Sequence, residues 1–598
     1  MSSETKNNLP ISKRGGVFAN LLKKSLFWGF LVFVIPLCVY LPTVQYDFVW
    51  DDLMLIAGNE NLCWDNAGKL LVSPFWAIGK GGVPANVIHM ASYYRPVIIL
   101  SYLFENTLFS GKPWGFHLVN SLMHALNAVL LYMFLLYLFS EPWQAFLLSL
   151  VYALHPMHTE VVAFIAGRTD IFASVFIMIA LNIYIRYPAK RIVSWQVLAM
   201  SIFALLGFAS KEVAFLLPFA LIGLHLLSRK IELPDFSFKN RARYWAGLVV
   251  SIIIFLSLRF VALSGIRDIA TNPPIRFGEI YTLPILVAKY ISLCIAPWTN
   301  NPIIHTLNMN PTLLTLEIIL LLLIIFSSLK RGTYFATYGF GWFLLFISPA
   351  IFVSLVIDRY MAERYLYVPM MGLLIVLGFW LFKREKIGGK KIAVIAVCLL
   401  TVSAVFGGFT VRRNQIYNNP FSFWSAVVEQ NPENATAQYN LGLVYLNRGE
   451  HEKAAHHSAI SLELNPYYNV SSSFVNLSSA LVYLGLPDSA IVVAQNGLYY
   501  SPENYRLYQN LGFAFYRKHD FANAYYNYSE ALQIDSSCIG CWNSMIWSLA
   551  QMGDEESARR ELEKFTKAYP EDANIQALRD FINDKFEGGG ISPPLLFE

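Results

Sequence analysis

Phe48-Val49-Trp50-Asp51-Asp52 follows closely on an apolar run from about Leu26 to Leu41. Lys13, Arg14, Lys23 and Lys24 precede that run, so it reads as a membrane span entered from the positively charged side. It is long for a signal-peptide core and has no clear small-residue cleavage site, which marks it as uncleaved. Two adjacent carboxylates therefore emerge at the far face. Working outward, the same arrangement recurs. His155-Pro156-Met157-His158-Thr159-Glu160, Gly167-Arg168-Thr169-Asp170, Ser210-Lys211-Glu212 and Ala362-Glu363-Arg364-Tyr365-Leu366-Tyr367 each sit at the end of an apolar run.

The chain of 598 residues is 56% hydrophobic and 14% charged, with mean hydropathy +0.45. A soluble domain carries about 25% charged residues. The deficit lies before residue 412, which describes a polytopic membrane protein with an attached domain. The net charge of +5 is small, and its Lys and Arg form short clusters between apolar runs. That distribution fits membrane orientation and not nucleic-acid binding.

Eleven apolar segments approach or span the ~30 Å of hydrocarbon, near 26–42, 117–139, 143–157, 171–187, 194–210, 213–228, 244–263, 312–329, 334–356, 365–382 and 391–410. A twelfth, 283–298, is short and contains Pro284, Lys289 and Pro297. The basic clusters are the N-terminal segment 1–25, Arg186/Lys190/Arg191, Arg229 to Arg243, Lys330/Arg331 and Lys383 to Lys391. All of them fall inside only if 283–298 does not cross. The C-terminal domain is then outside, and residues 43–116 form a large outer loop.

This topology puts Asp47, Asp51, Asp52, Arg95, His155, His158, Glu160, Arg168, Asp170, Lys211, Glu212, Arg359, Glu363 and Arg364 on one face. Ionisable groups at membrane depth are costly, so a cluster of them marks a functional site. The bland alternative for any one of them is a charge that snorkels and pairs at a span end.

After Arg412-Arg413 the composition changes. Residues 412–431 read as a linker. Pro432 and Pro466 are 34 residues apart, and Ala454, Ala490, Ala524 and Ala558 recur at 36, 34 and 34. Asn440-Leu441-Gly442 returns as Asn476-Leu477-Ser478 and Asn510-Leu511-Gly512. This is the tetratricopeptide (TPR) period, a helix–turn–helix unit whose small residues let paired helices pack closely. About four units fill 432–572, the second expanded by two residues near Ser471 to Ser473, and 573–598 is a last helix end and tail. Cys538 and Cys541 form a CxxC that, without a second pair or a nearby His, reads as packing or an incidental pair.

The order of these motifs, with Tyr94-Arg95-Pro96 and His117-Leu118-Val119-Asn120 with His124, resembles the transmembrane and tetratricopeptide-repeat-containing protein family. The resemblance covers most of the chain and is weakest over 230–340. It implies an all-α fold in which a GT-C-type membrane domain at 26–411 precedes a TPR α-solenoid. It also implies transfer of a sugar, mannose in eukaryotic members, from a polyprenyl-phosphate carrier to a protein hydroxyl at the outer or luminal face. Asp51 and Asp52 are then the catalytic acids. Four repeats are fewer than eukaryotic members carry, which points to a bacterial inner membrane with a periplasmic TPR domain, the endoplasmic reticulum being the alternative.

Such a transfer needs a base, cations to offset phosphate charge, and an apolar groove for the prenyl chain. Asp52 or Asp51 is the base, with Asp52 placed slightly ahead. The pair can instead hold a divalent cation, the one cofactor the residues suggest, or cap a helix starting at Leu53. Arg364, Lys211, Arg168 and Arg95 are the phosphate candidates. Arg364 stands first because Arg grips phosphate bidentately and Tyr365 and Tyr367 can border the groove. His155, His158, Glu160, Asp170 and Glu363 support the site. The expected partners are the lipid-linked donor, membrane lipid and a protein acceptor held by the TPR domain. A membrane-anchored TPR adaptor without activity is the alternative from another class.

Overall fold

A computed structural model describes residues 11–76, 93–188, 191, 194–231, 238–264, 282–298, 311–330, 333–356, 361–383, 388–464 and 470–587. Arg359 and the tail from Gly588 lie outside them. The described residues form helices and no strand, in two compact units, Met1–Phe423 and Trp424–Glu598.

Every expected span is helical. Among the described residues, seven helices are long and apolar enough to cross a membrane: Ser25–Gln45, Pro113–Phe139, Ile165–Arg186, Glu212–Lys230, Arg241–Leu263, Tyr334–Ser354 and Gly389–Tyr417. An eighth crossing forms if Pro142–Ala153 and Pro156–Ala163, bent by 54°, count as one. Pro156 makes the bend, since it has no N–H for the helix ladder, and the His155 side chain accepts the next free amide, from Met157. The expected spans at Trp195–Phe208, Thr312–Ser328 and Pro369–Phe382 are shorter, as is Leu283–Ile295. The 14 residues of Trp195–Phe208 rise about 21 Å, less than the ~30 Å of hydrocarbon.

The expected outer loop 43–116 is not plain loop. It holds a helix, Pro96–Leu108, started by Pro96 at a position where no amide is needed. Tyr334–Val356 and Pro369–Gly378 cross backbone against backbone. A Cβ on Gly339 would lie 2.5 Å from the Gly372 carbonyl oxygen, and one on Gly372 would meet the Gly339 carbonyl.

Residues 412–431, expected as a linker, are almost wholly helical. Gly389–Asn414 runs into Gln415–Tyr417 and then Pro420–Gln430. Asn419 and Ser422 cap the last of these reciprocally, each side chain accepting the other's backbone N–H at 3.0 and 3.1 Å. Beyond it come four helix pairs and a single helix: Ala435–Asn447 with His451–Leu464, Val470–Tyr483 with Pro487–Tyr500, Tyr505–Arg517 with Phe521–Ile534, Ile539–Met552 with Glu555–Ala568, then Asn574–Glu587. The periodic alanines Ala454, Ala490, Ala524 and Ala558 are all buried. Gly512 faces the Tyr528 ring, where a Cβ would lie 2.8 Å away. Ser471 to Ser473 are helical, so the extra residues of the second unit are not a loop there.

Cys538 and Cys541 are joined in a disulfide, which corrects the expectation of an incidental pair. Cys538 caps Ile539–Met552, its sulfur accepting from the Cys541 amide at 3.2 Å. A disulfide suits an oxidising compartment.

Candidate active site

Asp51 and Asp52 sit on a tight turn after the first span. Trp50, which leads into them, has φ 50°, the left-handed region. A non-glycine residue there costs of order 1–3 kcal/mol and persists only where its surroundings enforce it. The Trp50 ring stacks on Phe164 at 5.6 Å and on Phe423 at 5.7 Å.

The two carboxylates have different tasks. Asp52 is wholly buried, and its Oδ1 and Oδ2 accept from the amides of Ala166 (2.8 Å) and Val49 (3.2 Å). Burial pushes its carboxyl up to about 8, opposed by those two amides and by Arg168 and reinforced by Asp51. Asp52 thus pins the loop to the 164–167 segment. Asp51 is half-buried and accepts no hydrogen bond among the described residues. Burial raises its carboxyl to about 6, with Arg364 lowering it and Glu160 raising it. Neither acid makes a helix-cap hydrogen bond to the Leu53–Ala57 turn. Sequence placed Asp52 slightly ahead as base, whereas the geometry favours Asp51.

Three ion pairs lie close to one another, and the first of them, Glu160 with Arg364, faces Asp51. Glu160 receives the Arg364 guanidinium on one oxygen and the Arg364 backbone N–H (2.8 Å) on the other. Lys211 meets Asp170 at 2.5 Å, and Arg95 meets Glu212 at 2.7 Å. The Tyr365 ring lies between two of the cations, 5.3 Å from the Arg364 guanidinium and 5.4 Å from the Lys211 ammonium. Burial holds the Lys211 ammonium below its ordinary value, opposed by Asp170, and the charges of Arg95 and Arg364 lower it further. Segments around 51, 95, 160, 170, 211 and 364 therefore converge, as one shared face requires. An ammonium has three N–H donors and a guanidinium five, so these cations can keep their carboxylates and still reach a phosphate.

The family described as Dolichyl-phosphate-mannose-protein mannosyltransferase matches residues 96–258, and the one described as Tetratricopeptide repeat matches residues 423–467. The chain is 34% identical to Protein O-mannosyl-transferase TMTC2 of Homo sapiens over 158 residues, which is 26% of this chain and 18% of that protein. It is 25% identical to Protein O-mannosyl-transferase TMTC3 of Homo sapiens over 75% of this chain and 53% of that one. For TMTC1 of Homo sapiens the figures are 26%, 74% and 55%. The chain is similar to these O-mannosyl-transferases over about three quarters of its length. It spans about half the length of the relatives that it matches over most of its own. The mannosyltransferase-family match includes Glu160, Asp170 and Lys211, while Asp51 and Arg364 lie outside it.

Family likeness does not make every expected residue a site residue. Arg168 is fully buried, paired with Glu105 at 2.6 Å and bonded to Ser101 and to the Phe116 carbonyl. Its guanidinium also faces the Tyr102, Phe116 and Phe172 rings. It has no path to a ligand, so it drops out as a phosphate contact. Tyr367 is buried too, its hydroxyl on His124 Nδ1 (2.8 Å) and its carbonyl accepting from Tyr152 (2.9 Å), so it borders no open groove. His155 is satisfied by the Cys294 carbonyl and the Met157 amide. His158 is buried among Tyr152, Tyr367 and His124, and its ring nitrogens have no hydrogen-bond partner among the described residues.

A divalent cation at Asp51 and Asp52 would need both carboxylates turned to one point. Both Asp52 oxygens are instead held by amides, and no group of three or more His, Cys, Asp or Glu among the described residues is placed for a metal. The donor set does not fit. One residue the sequence gave no reason to select is Arg413. It is buried and paired with the buried Glu363, beside Arg364. Burial raises the Glu363 carboxyl to about 7, opposed by Arg413 and reinforced by Glu160.

Proposed function

We propose that the chain is a membrane glycosyltransferase that moves mannose from a polyprenyl-phosphate carrier to a hydroxyl of a protein acceptor. The observation that carries this is the Asp51 carboxylate, which accepts no hydrogen bond among the described residues and faces Arg364, itself close to Lys211. The names of the matched family and of the curated relatives support the choice of sugar, donor and acceptor.

In this reaction the acceptor oxygen attacks C1 of the sugar and its proton passes to Asp51. The C1–oxygen bond to the phosphate breaks, and polyprenyl phosphate leaves with the electron pair. Arg364 and Lys211, with Arg95 behind them, offset the charge on the leaving phosphate. Glu160 and Asp170 hold those cations in place, and Tyr365 packs between them. The site opens on the outer face, periplasmic in a bacterium or luminal in the endoplasmic reticulum. The TPR unit lies on the same side, where its disulfide would persist, and recruits the acceptor.

Purified protein incubated with polyprenyl-phosphate mannose and candidate acceptor peptides tests this by mass spectrometry. A hexose increment on the peptide is expected, and it is lost in the Asp51→Asn variant. Absence of transfer from a panel of lipid-linked sugars to any acceptor would refute the activity. Loss of donor turnover on deleting only residues 432–598 would refute the division of labour between the units.

A further inference from the structure

Trp50, Phe164, Tyr417 and Phe423 close a ring of four packed aromatic side chains, three of the four contacts stacked and the fourth, Tyr417 with Phe423, tilted by 45°. Trp50 lies on Phe164 (5.6 Å), Phe164 on Tyr417 (6.3 Å), Tyr417 on Phe423 (5.5 Å) and Phe423 on Trp50 (5.7 Å). Phe164, Tyr417 and Phe423 are almost wholly buried. Two of the rings come from the end of the last long apolar helix and the stretch that follows it. That segment grips the site at other points as well. The Asp47 amide donates to the Asn418 carbonyl at 2.9 Å, and Arg413 holds Glu363, next to Arg364. The loop 47–52 is therefore fixed at Asp47, Trp50 and Asp52, and Asp51 is left as its functional tip.

Trp50 adopts a left-handed backbone, and the Asp51 side chain starts from the next residue. The direction of Asp51 thus depends on Trp50 keeping that conformation, and the half-buried Trp50 side chain stacks on two of these aromatics, Phe164 and Phe423. We propose that this aromatic cage positions Asp51 for transfer, so that Tyr417 and Phe423 are positioning residues for the reaction although neither touches substrate. The inference rests on Asp51 being the base. It extends the site into a stretch of chain that otherwise reads as a connection to the TPR unit.

The full-length variants Phe423→Ala, Phe423→Leu and Phe423→Tyr test it, with two readouts. One is kcat and donor KM. The other is carbodiimide labelling of Asp51 across pH, followed by mass spectrometry, which needs no activity. The charged and titratable groups facing Asp51 are Arg364, Glu160, Asp52 and Tyr102, and none of them is substituted in these variants. Phe423→Tyr keeps the ring and should behave as wild type. Phe423→Leu keeps bulk without a flat face, and serves if the alanine variant does not fold. Both Phe423→Leu and Phe423→Ala should lower kcat by about ten- to a hundredfold, as small misplacements of reacting groups do. The donor KM should be unchanged and the Asp51 labelling midpoint should move. Unchanged kcat and unchanged labelling would overturn the proposal. Shifted labelling with undiminished transfer would leave the cage standing and remove Asp51 as the base, so the two claims fail separately.

Discussion

Exchanging each acid for Asn should separate Asp51 from Asp52 by opposite signatures. Asp52 uses both oxygens on buried amides. Asn keeps one acceptor and turns an NH2 donor towards the other amide. One buried N–H then loses its partner, which costs about 1–3 kcal/mol. For a domain of 150–250 residues each kcal/mol lowers Tm by about 2–4 °C, and by less in a larger one. Asp51 has no such bonds, so Asp51→Asn should change stability by no more than about 0.5 kcal/mol. Its effect should fall on turnover, by about 10²–10⁴-fold if it is the base. Thermal unfolding in detergent and transfer rate, measured on the same preparations, give the comparison. The pH profile adds a check with a definite sign. A base works deprotonated, so turnover should fall as pH falls through about 6, the raised value of the Asp51 carboxyl. A carboxyl at its ordinary 3.8 would hold turnover flat across that range. Normal transfer by Asp51→Asn would refute the assignment, and lost transfer with unchanged stability in Asp52→Asn would move the base to Asp52.

Arg364→Ala should weaken donor binding about tenfold or more, the value of a charge-assisted hydrogen bond of about 1.5–3 kcal/mol, with partial recovery in Arg364→Lys; equal affinities in a donor-binding assay would remove Arg364 from the site. Arg168→Ala leaves Glu105 buried without its cation and should destabilise the fold by about 3–5 kcal/mol, while the apolar pair Arg168→Met with Glu105→Leu should restore the melting temperature and bind donor normally. Protein purified without reductant should show Cys538 linked to Cys541 by mass spectrometry, and free thiols at both would remove one support for an outward TPR unit. Cysteines introduced near Asn301 and Lys330 should label from opposite sides of the membrane if 283–298 does not cross, and labelling of both from one side would refute that topology.

The legible parts of this chain were those written in local pattern. Apolar runs gave the helices, in-phase alanines gave the TPR pairs, and charges at run ends gave the cluster that the fold assembles. What stayed hidden depends on contacts far apart in sequence. Nothing near Asp52 announces that the Ala166 amide will occupy its carboxylate, and nothing near Arg168 points to Glu105. Arg413 marked only the change in composition until its Glu363 partner was in view. The helix at Pro420–Gln430 did carry a local signal, Asn419 before Pro420 with Ser422 in the first turn, masked by the change in composition around it.

The crossing of Tyr334–Val356 with Pro369–Gly378 bears on which substitutions the chain can tolerate. With only hydrogen on Gly339 and Gly372, the two backbones touch, and a single methyl at either position has no room. Alanine, the mildest exchange in most helices, would be among the harshest here, because the whole rod must move aside. Arg364 lies five residues ahead of Pro369 and travels with that rod. The place of a phosphate-gripping cation is therefore set, from a distance, by the size of two hydrogen atoms.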